Sequence, residues 1–338
     1  MLANADKSYW NLYAAWRELE VRKQNYELAM VQYQSAKRRL AAGDAPEIDV
    51  VRAQSGVGRT LETIITADAA LRRALRQIKR IMNKPKFPVS SSTMFLPETK
   101  PNPLKIELDG KDLAAEAVEN RMEMLELEIQ LAVDSANIDV KRNLTLPVFA
   151  VDYTYTVKGS ANGFGSAYAN LGDNDAYRVG VNGEIPIGNE VAKNTLQAAI
   201  LNRVQRLATR TARTQAIETE VYDALDALRS SWQSILAARL ETVFATRTYE
   251  GEQRQFDVGL RTSTDVLDAA SRLADAQSRE VRALADYQIS LVDIAFATGT
   301  LLGHSKVRFD RKSELFIEEP EGSDDSEKKS EDSADEST

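Results

Sequence analysis

An internal repeat constrains this chain more than any other feature. Displaced by 216 residues, Leu12–Ser55 falls on Leu228–Ser271 without a gap, and ten of the 44 positions are identical. The matches include Leu12/Leu228, Trp16/Trp232, Tyr33/Tyr249, Gly43/Gly259, Asp49/Asp265 and Ser55/Ser271. Two of the three tryptophans in the chain coincide, which is hard to attribute to chance. One supersecondary unit is therefore built twice. In both copies an amphipathic run follows the matched serine and gives way to turn residues near Asn83 and Gly303.

Each copy reads as a long helical hairpin. In the first, Leu12, Trp16, Leu19, Lys23, Tyr26, Met30, Tyr33, Lys37 and Leu40 alternate four and three apart, the 3.5-residue period of a coiled-coil seam. The second keeps the frame with Leu228, Trp232, Ile235, Arg239, Thr242, Thr246, Tyr249, Gln253 and Phe256. Such mixed seams suit helices standing side by side in a wall that partly faces water, although an ordinary helical bundle has the same period. Gly43 and Gly259 suit the left-handed residue that ends a helix. Pro46 then opens the return helix of the first copy, and Thr262, Ser263 and Thr264 offer caps in the second, with Asp265 in the first turn.

The character changes between the copies. Asn83–Gly110 holds five of the nine prolines and reads as an irregular connector. A helix over about Leu113–Asn143 follows. From Phe149 to Val157 and from Tyr177 to Ile185 apolar and polar residues then alternate, a strand signal. Two strands of this length, joined by a polar loop rich in Gly, Asn, Ser and Asp, fit a transmembrane β-hairpin, because about 9–11 tilted residues cross a bilayer. A soluble hairpin with one buried face is the bland alternative. After Asn189 a helical pattern runs to about Val258. At ~1.5 Å per residue it spans on the order of 100 Å, more than a globular core needs.

Composition excludes several functions. The chain has no cysteine and one histidine, His304, so disulfides, thiol chemistry, most hydrolytic triads and a His/Cys metal site are excluded or unsupported. No phosphate-cradling glycine loop or nucleophile–base set is present, and the sequence implies neither an enzyme nor a cofactor. The net charge of −8 resides in the tail: Glu318–Thr338 carries ten acids and two lysines. The body is therefore nearly neutral, which argues against nucleic acid as a partner. The tail has the composition of a disordered segment.

Three stretches carry a family resemblance. Phe256–Ala269 (FDVGLRTSTDVLDA) and Leu40–Gln54 (LAAGDAPEIDVVRAQ) look like two helical tips, and Ile185–Asn194 (IPIGNEVAKN) looks like a strand-to-helix transition. In this order and spacing the chain resembles the TolC-like outer-membrane efflux protein family over roughly residues 5–303. The resemblance implies a mostly α fold: long antiparallel helical hairpins forming an α-barrel, with a transmembrane β-hairpin contributing to a trimeric β-barrel. The implied parts are a first periplasmic helical hairpin (1–82), a Pro-rich equatorial connector (83–112), a helix (113–146), the β-hairpin (147–187), a second long helical hairpin (188–303) and an acidic disordered tail (304–338). In the family a first β-hairpin precedes the first long helix. Its counterpart would lie before Met1, so the sequence is expected to be an N-terminally truncated member.

The resemblance also implies roles. Phe256, Arg261, Asp265 and Asp268 fall where the family carries its gate or constriction. Gly43, Gly259 and Leu260 fall at tips that meet a periplasmic adaptor (membrane fusion) protein. Implied partners are two further copies in a homotrimer, the adaptor, an inner-membrane pump and outer-membrane lipid. The expected function is a passive export duct across periplasm and outer membrane, the outer-membrane component of a tripartite efflux or type I secretion system. A soluble coiled-coil scaffold or adaptor protein is the competing reading. The residues alone read Asp265 equally well as a helix-start acid.

Overall fold

The computed structural model describes residues 2–158, 163, 165 and 176–304. Among these residues seven helices and two strands are defined, in order: α1 (Leu2–Ala42), α2 (Glu47–Met82), α3 (Gly110–Asn120), α4 (Met122–Asn143), β1 (Val148–Thr156), β2 (Ala176–Glu184), α5 (Glu190–Asp257), α6 (Ser263–Ala297) and the short α7 (Leu301–His304). The fold is mostly helical with one small antiparallel sheet, as the sequence implies. The acidic segment 318–338 lies outside the described residues.

The long helices stand side by side. α1 packs on α2 and on α6, α6 packs on the C-terminal half of α5, and α3 and α4 pack along its N-terminal half, where α6 ends. The row is therefore α2–α1–α6–α5, with α2 also reaching α6. With its 68 residues α5 is about 100 Å long at ~1.5 Å per residue.

The repeat extends beyond what sequence identity shows. One core cluster joins Leu12, Trp16 and Leu19 of α1 to Ala67, Leu71, Leu75 and Ile78 of α2. At the same 216-residue displacement, Leu228, Trp232 and Ile235 of α5 pack on Ala283, Tyr287, Leu291 and Ile294 of α6. The return helices begin at equivalent residues, Glu47 and Ser263. They end at equivalent left-handed residues, Asn83 (φ 44°) and Gly299 (φ 74°). The second copy thus closes at Gly299, not near Gly303 as expected. Burial preserves the contact positions while the identities drift, because a seam selects for volume and apolarity rather than for one residue type.

The α1 seam departs from its expected positions. Beyond Leu19 the buried line runs through Asn25, Ala29, Gln32 and Ala36, whereas Lys23, Lys37 and Leu40 are exposed. Large side chains suggested the wrong stripe. α1 has neighbours on two sides, and small residues let their backbones approach, with Tyr26, Met30 and Tyr33 left half-buried at the flanks. In α5 the expected line holds better, Arg239 being the exposed exception.

A second departure is the break in the expected 113–143 helix. Arg121 is extended (φ −74°, ψ 125°) and separates α3 from α4. It is 8% exposed and forms ion pairs with Glu123, at 3.0 Å, and with Glu220 of α5. Burial opposes its charge, but hydrogen bonds donated to Glu220 and Glu123 outweigh that cost and keep its pKa above the ordinary value. Below the break, Arg206, Arg210 and Arg213 of α5 reach Asp134, Glu128 and Glu123 of α4 in antiparallel order. Half-exposed pairs of this kind add little stability each, so the ladder mainly sets the register of α4 on α5.

The connector straps all four long helices. Lys79 of α2 donates to the Ser91 carbonyl at 2.7 Å, and Phe95 packs into the α1–α2 core. The Thr99 N–H donates to the Tyr9 hydroxyl on α1 at 3.1 Å. Tyr287 of α6 donates to the Leu104 carbonyl, and Leu108 packs into the α5–α6 core. The irregular backbone is thus satisfied from the helices that it crosses.

Two glycines with opposite environments test this packing. At Gly299 the backbone is left-handed, and an added Cβ would lie 3.3 Å from the Asn120 carbonyl group. Gly251 sits within α5 with nothing within 4 Å of such a carbon. Gly299→Ala should destabilise the protein by about 1 kcal/mol or more, whereas Gly251→Ala should stabilise it by about 0.5–1 kcal/mol. Denaturant unfolding followed by helical circular dichroism separates the two outcomes.

Candidate functional site

The β-hairpin has two chemically distinct faces. β1 and β2 pair antiparallel with Phe149 opposite Gly183, Val151 opposite Val181, Tyr153 opposite Val179 and Tyr155 opposite Tyr177. Side chains of directly opposed residues share a face, so this face is apolar from end to end. It is also bare: Val151 is 75% exposed, Tyr177 78% and Val181 73%. The other face carries Asp152, Thr154, Arg178 and Asn182, and Asn182 donates to Asp152 at 2.6 Å. Each strand has nine residues, enough for a tilted bilayer crossing. Among the described residues no helix is long and apolar enough to cross a membrane.

At the other end of the long helices, the two tips share one backbone design. The Asp44 N–H donates to the Arg39 carbonyl (2.9 Å) and the Gly43 N–H to Leu40 (3.0 Å). The Leu260 N–H donates to Gln255 (2.8 Å) and the Gly259 N–H to Phe256 (2.9 Å). These paired bonds form a Schellman motif, whose left-handed position is Gly43 (φ 83°) in one tip and Gly259 (φ 80°) in the other. Gly43, Gly259 and Leu260 all lie on the surface, and Val258 and Leu260 are 70% and 76% exposed.

The four candidate gate residues fall in different settings. Phe256 is buried, and the Arg39 guanidinium of the first tip sits 4.2 Å from its ring centroid. Arg39 also donates to the Phe256 carbonyl at 3.0 Å. Arg261 is exposed and turns back onto α5, donating to Gln255 at 2.9 Å with Glu252 at 3.2 Å. Asp265 accepts from the Thr262 N–H (2.9 Å) and hydroxyl (2.8 Å), while the Asp265 N–H faces the Thr262 hydroxyl oxygen at 3.4 Å. That is a capping box at the start of α6. Bonding to the Thr262 backbone is the main cause holding the Asp265 carboxyl below its ordinary pKa. Asp268 is exposed and borders a cleft of about 60 Å³ shared with Asn25, Arg59 and Thr60. Phe256, Arg261 and Asp265 therefore share the second tip, and Asp268 lies one turn further along α6.

Sequence reasoning missed Arg39. Its counterpart in the second copy is Gln255, so the repeat gave no pairing signal, and its partners are 217 and 218 residues away.

A family model described as outer membrane efflux protein matches residues 113–300, more than half of the chain. The chain belongs to this family. It is accordingly an outer-membrane efflux protein and not an enzyme. Outer membrane protein TolC of Vibrio cholerae is 24% identical over 312 residues, which cover 89% of this chain and 68% of that protein. TolC of Escherichia coli is 24% identical over 316 residues, covering 89% of this chain and 62% of that one. The Campylobacter jejuni CmeC outer membrane channel superposes with a TM-score of 0.70 at 17% identity, over 88% of this chain and 62% of its own, so the two share a fold. This efflux protein thus spans about two thirds of the length of these relatives.

The tip chemistry has a pH signature. The folded-state pKa of Asp265 is depressed, so its stabilisation is present above the unfolded carboxylate value and is lost as pH falls through the folded value. Thr262→Ala removes the reciprocal bonds and should cost about 1 kcal/mol of local stability. Amide exchange at the start of α6 should quicken in that variant at neutral pH and in the parent only under acid conditions. Asp265→Asn should abolish the acid dependence there.

Proposed function

We propose that this protein supplies the periplasmic wall and part of the membrane barrel of a passive export duct within a tripartite efflux or type I secretion system. The observation that carries this reading is the exposed apolar face of the β-hairpin, set above a helix about 100 Å long at ~1.5 Å per residue. A two-stranded sheet has two open edges, and lipid tolerates none. Closure by identical hairpins from other copies meets that requirement, and a homotrimer is the assembly we propose. The apolar face then meets outer-membrane lipid, and Asp152, Thr154, Arg178 and Asn182 face the water-filled interior.

The same assembly gives the bare helix faces partners. Leu125, Ile129 and Val133 of α4 and Leu201, Val204 and Leu207 of α5 are all exposed in the single chain. Such stripes suit lateral contact with neighbouring copies. We assign the constriction to the second tip. Asp268, repeated about a threefold axis, would form a carboxylate ring that favours cations. Arg261 and Asp265 shape the turn that presents it, and Phe256 anchors that turn to the first tip through Arg39. The bare apolar residues beside Gly43, Gly259 and Leu260 would receive a periplasmic adaptor protein, which links the duct to an energised inner-membrane pump.

Two measurements test this reading. Asp268→Asn in the reconstituted channel should lower cation selectivity in planar bilayers while leaving assembly intact; unchanged selectivity removes the residue from the constriction. Val179→Lys, on the apolar hairpin face, should cost about 2–4 kcal/mol at mid-bilayer and deplete the protein from the outer-membrane fraction. Thr154→Lys, on the opposite face, should leave that fraction nearly unchanged.

A further inference from the structure

The C-terminal end of α2 carries charge that its surroundings leave largely unanswered. From Arg72 to Lys86 seven of fifteen residues are Arg or Lys, and none is Asp or Glu. Arg72 pairs with Asp68 at 2.8 Å, and Lys79 is buried against the Ser91 carbonyl. Arg73, Arg76, Arg80, Lys84 and Lys86 remain on the surface. Arg80 donates to Gln77 at 3.1 Å, and Lys86 lies 5.8 Å from the Phe87 ring centroid; among the described residues neither is paired with an acid. The helix dipole explains cations in the last turn, but Arg73 and Arg76 lie before it. The next acid along the strap is Glu98.

The opposite charge is concentrated elsewhere in the same chain. Residues 318–338 hold ten acids and two lysines. The fold brings their attachment point close. α2 and α6 both flank α1 and touch each other, and the repeat sets their ends, Asn83 and Gly299, at the same level of the molecule. At interaxial spacings of about 8–10 Å, two helix widths come to about 20 Å. The fourteen residues from His304 to Glu318 reach about 46 Å at ~3.3 Å each.

We infer that the acidic segment 318–338 docks in the same chain on the basic surface formed by Arg73, Arg76, Arg80, Lys84 and Lys86. Tethering raises the local concentration of carboxylates without requiring a shaped pocket. The contact is electrostatic and exposed, so salt weakens it, with a Debye length of about 8 Å at physiological ionic strength. Its role is to cover a patch that would otherwise attract other polyanions near the strap.

Zero-length carbodiimide cross-linking of the full chain tests the inference. Peptide mapping should find Lys84 or Lys86 joined to carboxylates of 318–338. These links should fall severalfold in 0.5 M salt and disappear in an Arg73→Glu/Arg76→Glu/Arg80→Glu variant whose helical content is unchanged. Deleting 318–338 should speed amide exchange across 84–92 without altering exchange at the tips. Absence of these links, or links insensitive to salt and charge reversal, would overturn the proposal. Links found only between differently isotope-labelled copies would overturn docking within one chain.

Discussion

A row of helices has no interior, so each helix can bury apolar surface only against the ones beside it. That constraint governs the rest of this structure. α1 sits between α2 and α6 and must face both, which leaves too little circumference for two broad apolar stripes. The chain meets this with Ala29, Ala36 and Ala53, all nearly inaccessible, and admits Asn25 and Gln32 into the buried line. Close backbone approach replaces bulky interdigitation. Farther from the tips, Leu12 and Leu71 build a thicker contact between α1 and α2, and Leu228 and Tyr287 one between α5 and α6.

The two tips show how duplicated backbones acquire unlike chemistry. Both end their first helix through the same pair of carbonyl acceptors and the same left-handed glycine. Only the second has a capping box, and only the first supplies an arginine to its partner. Arg39 covers the Phe256 ring and occupies the C-terminal carbonyls of α5, where a positive charge is favoured. One tip thereby serves as the cap of the other. Asp265 illustrates a shared duty: its carboxylate is committed to starting α6 even though it lies beside the proposed constriction.

Much of this was legible in the residues. The repeat, both tip glycines, the strand alternation and the length of α5 were each written in spacing or in obligatory backbone chemistry. The register Val151–Val181 and Tyr153–Val179 realises the alternation, with both apolar sets on one face. Other features were not legible because they depend on partners remote in sequence. Arg121 interrupts a favourable helical pattern because Glu220, 99 residues away, holds it. The buried line of α1 shifted because two neighbours, not one, decide what is covered. The second half of the repeat was hidden by pairs such as Leu71/Tyr287, alike in their setting but not in identity.

The strap also fixes where the wall can bend. Its contacts at Lys79, Tyr9, Tyr287 and Leu108 bind four helices at one height, and among the described residues nothing comparable ties them near Gly43 and Gly259 except Arg39 and the polar pairs of the α1–α6 seam. From Leu228, level with the strap, to the second tip is about 30 residues, a lever of about 45 Å at ~1.5 Å per residue. A tilt of about 5° about that fulcrum carries the free end some ~4 Å, roughly the width of a side chain, while the strapped height scarcely moves.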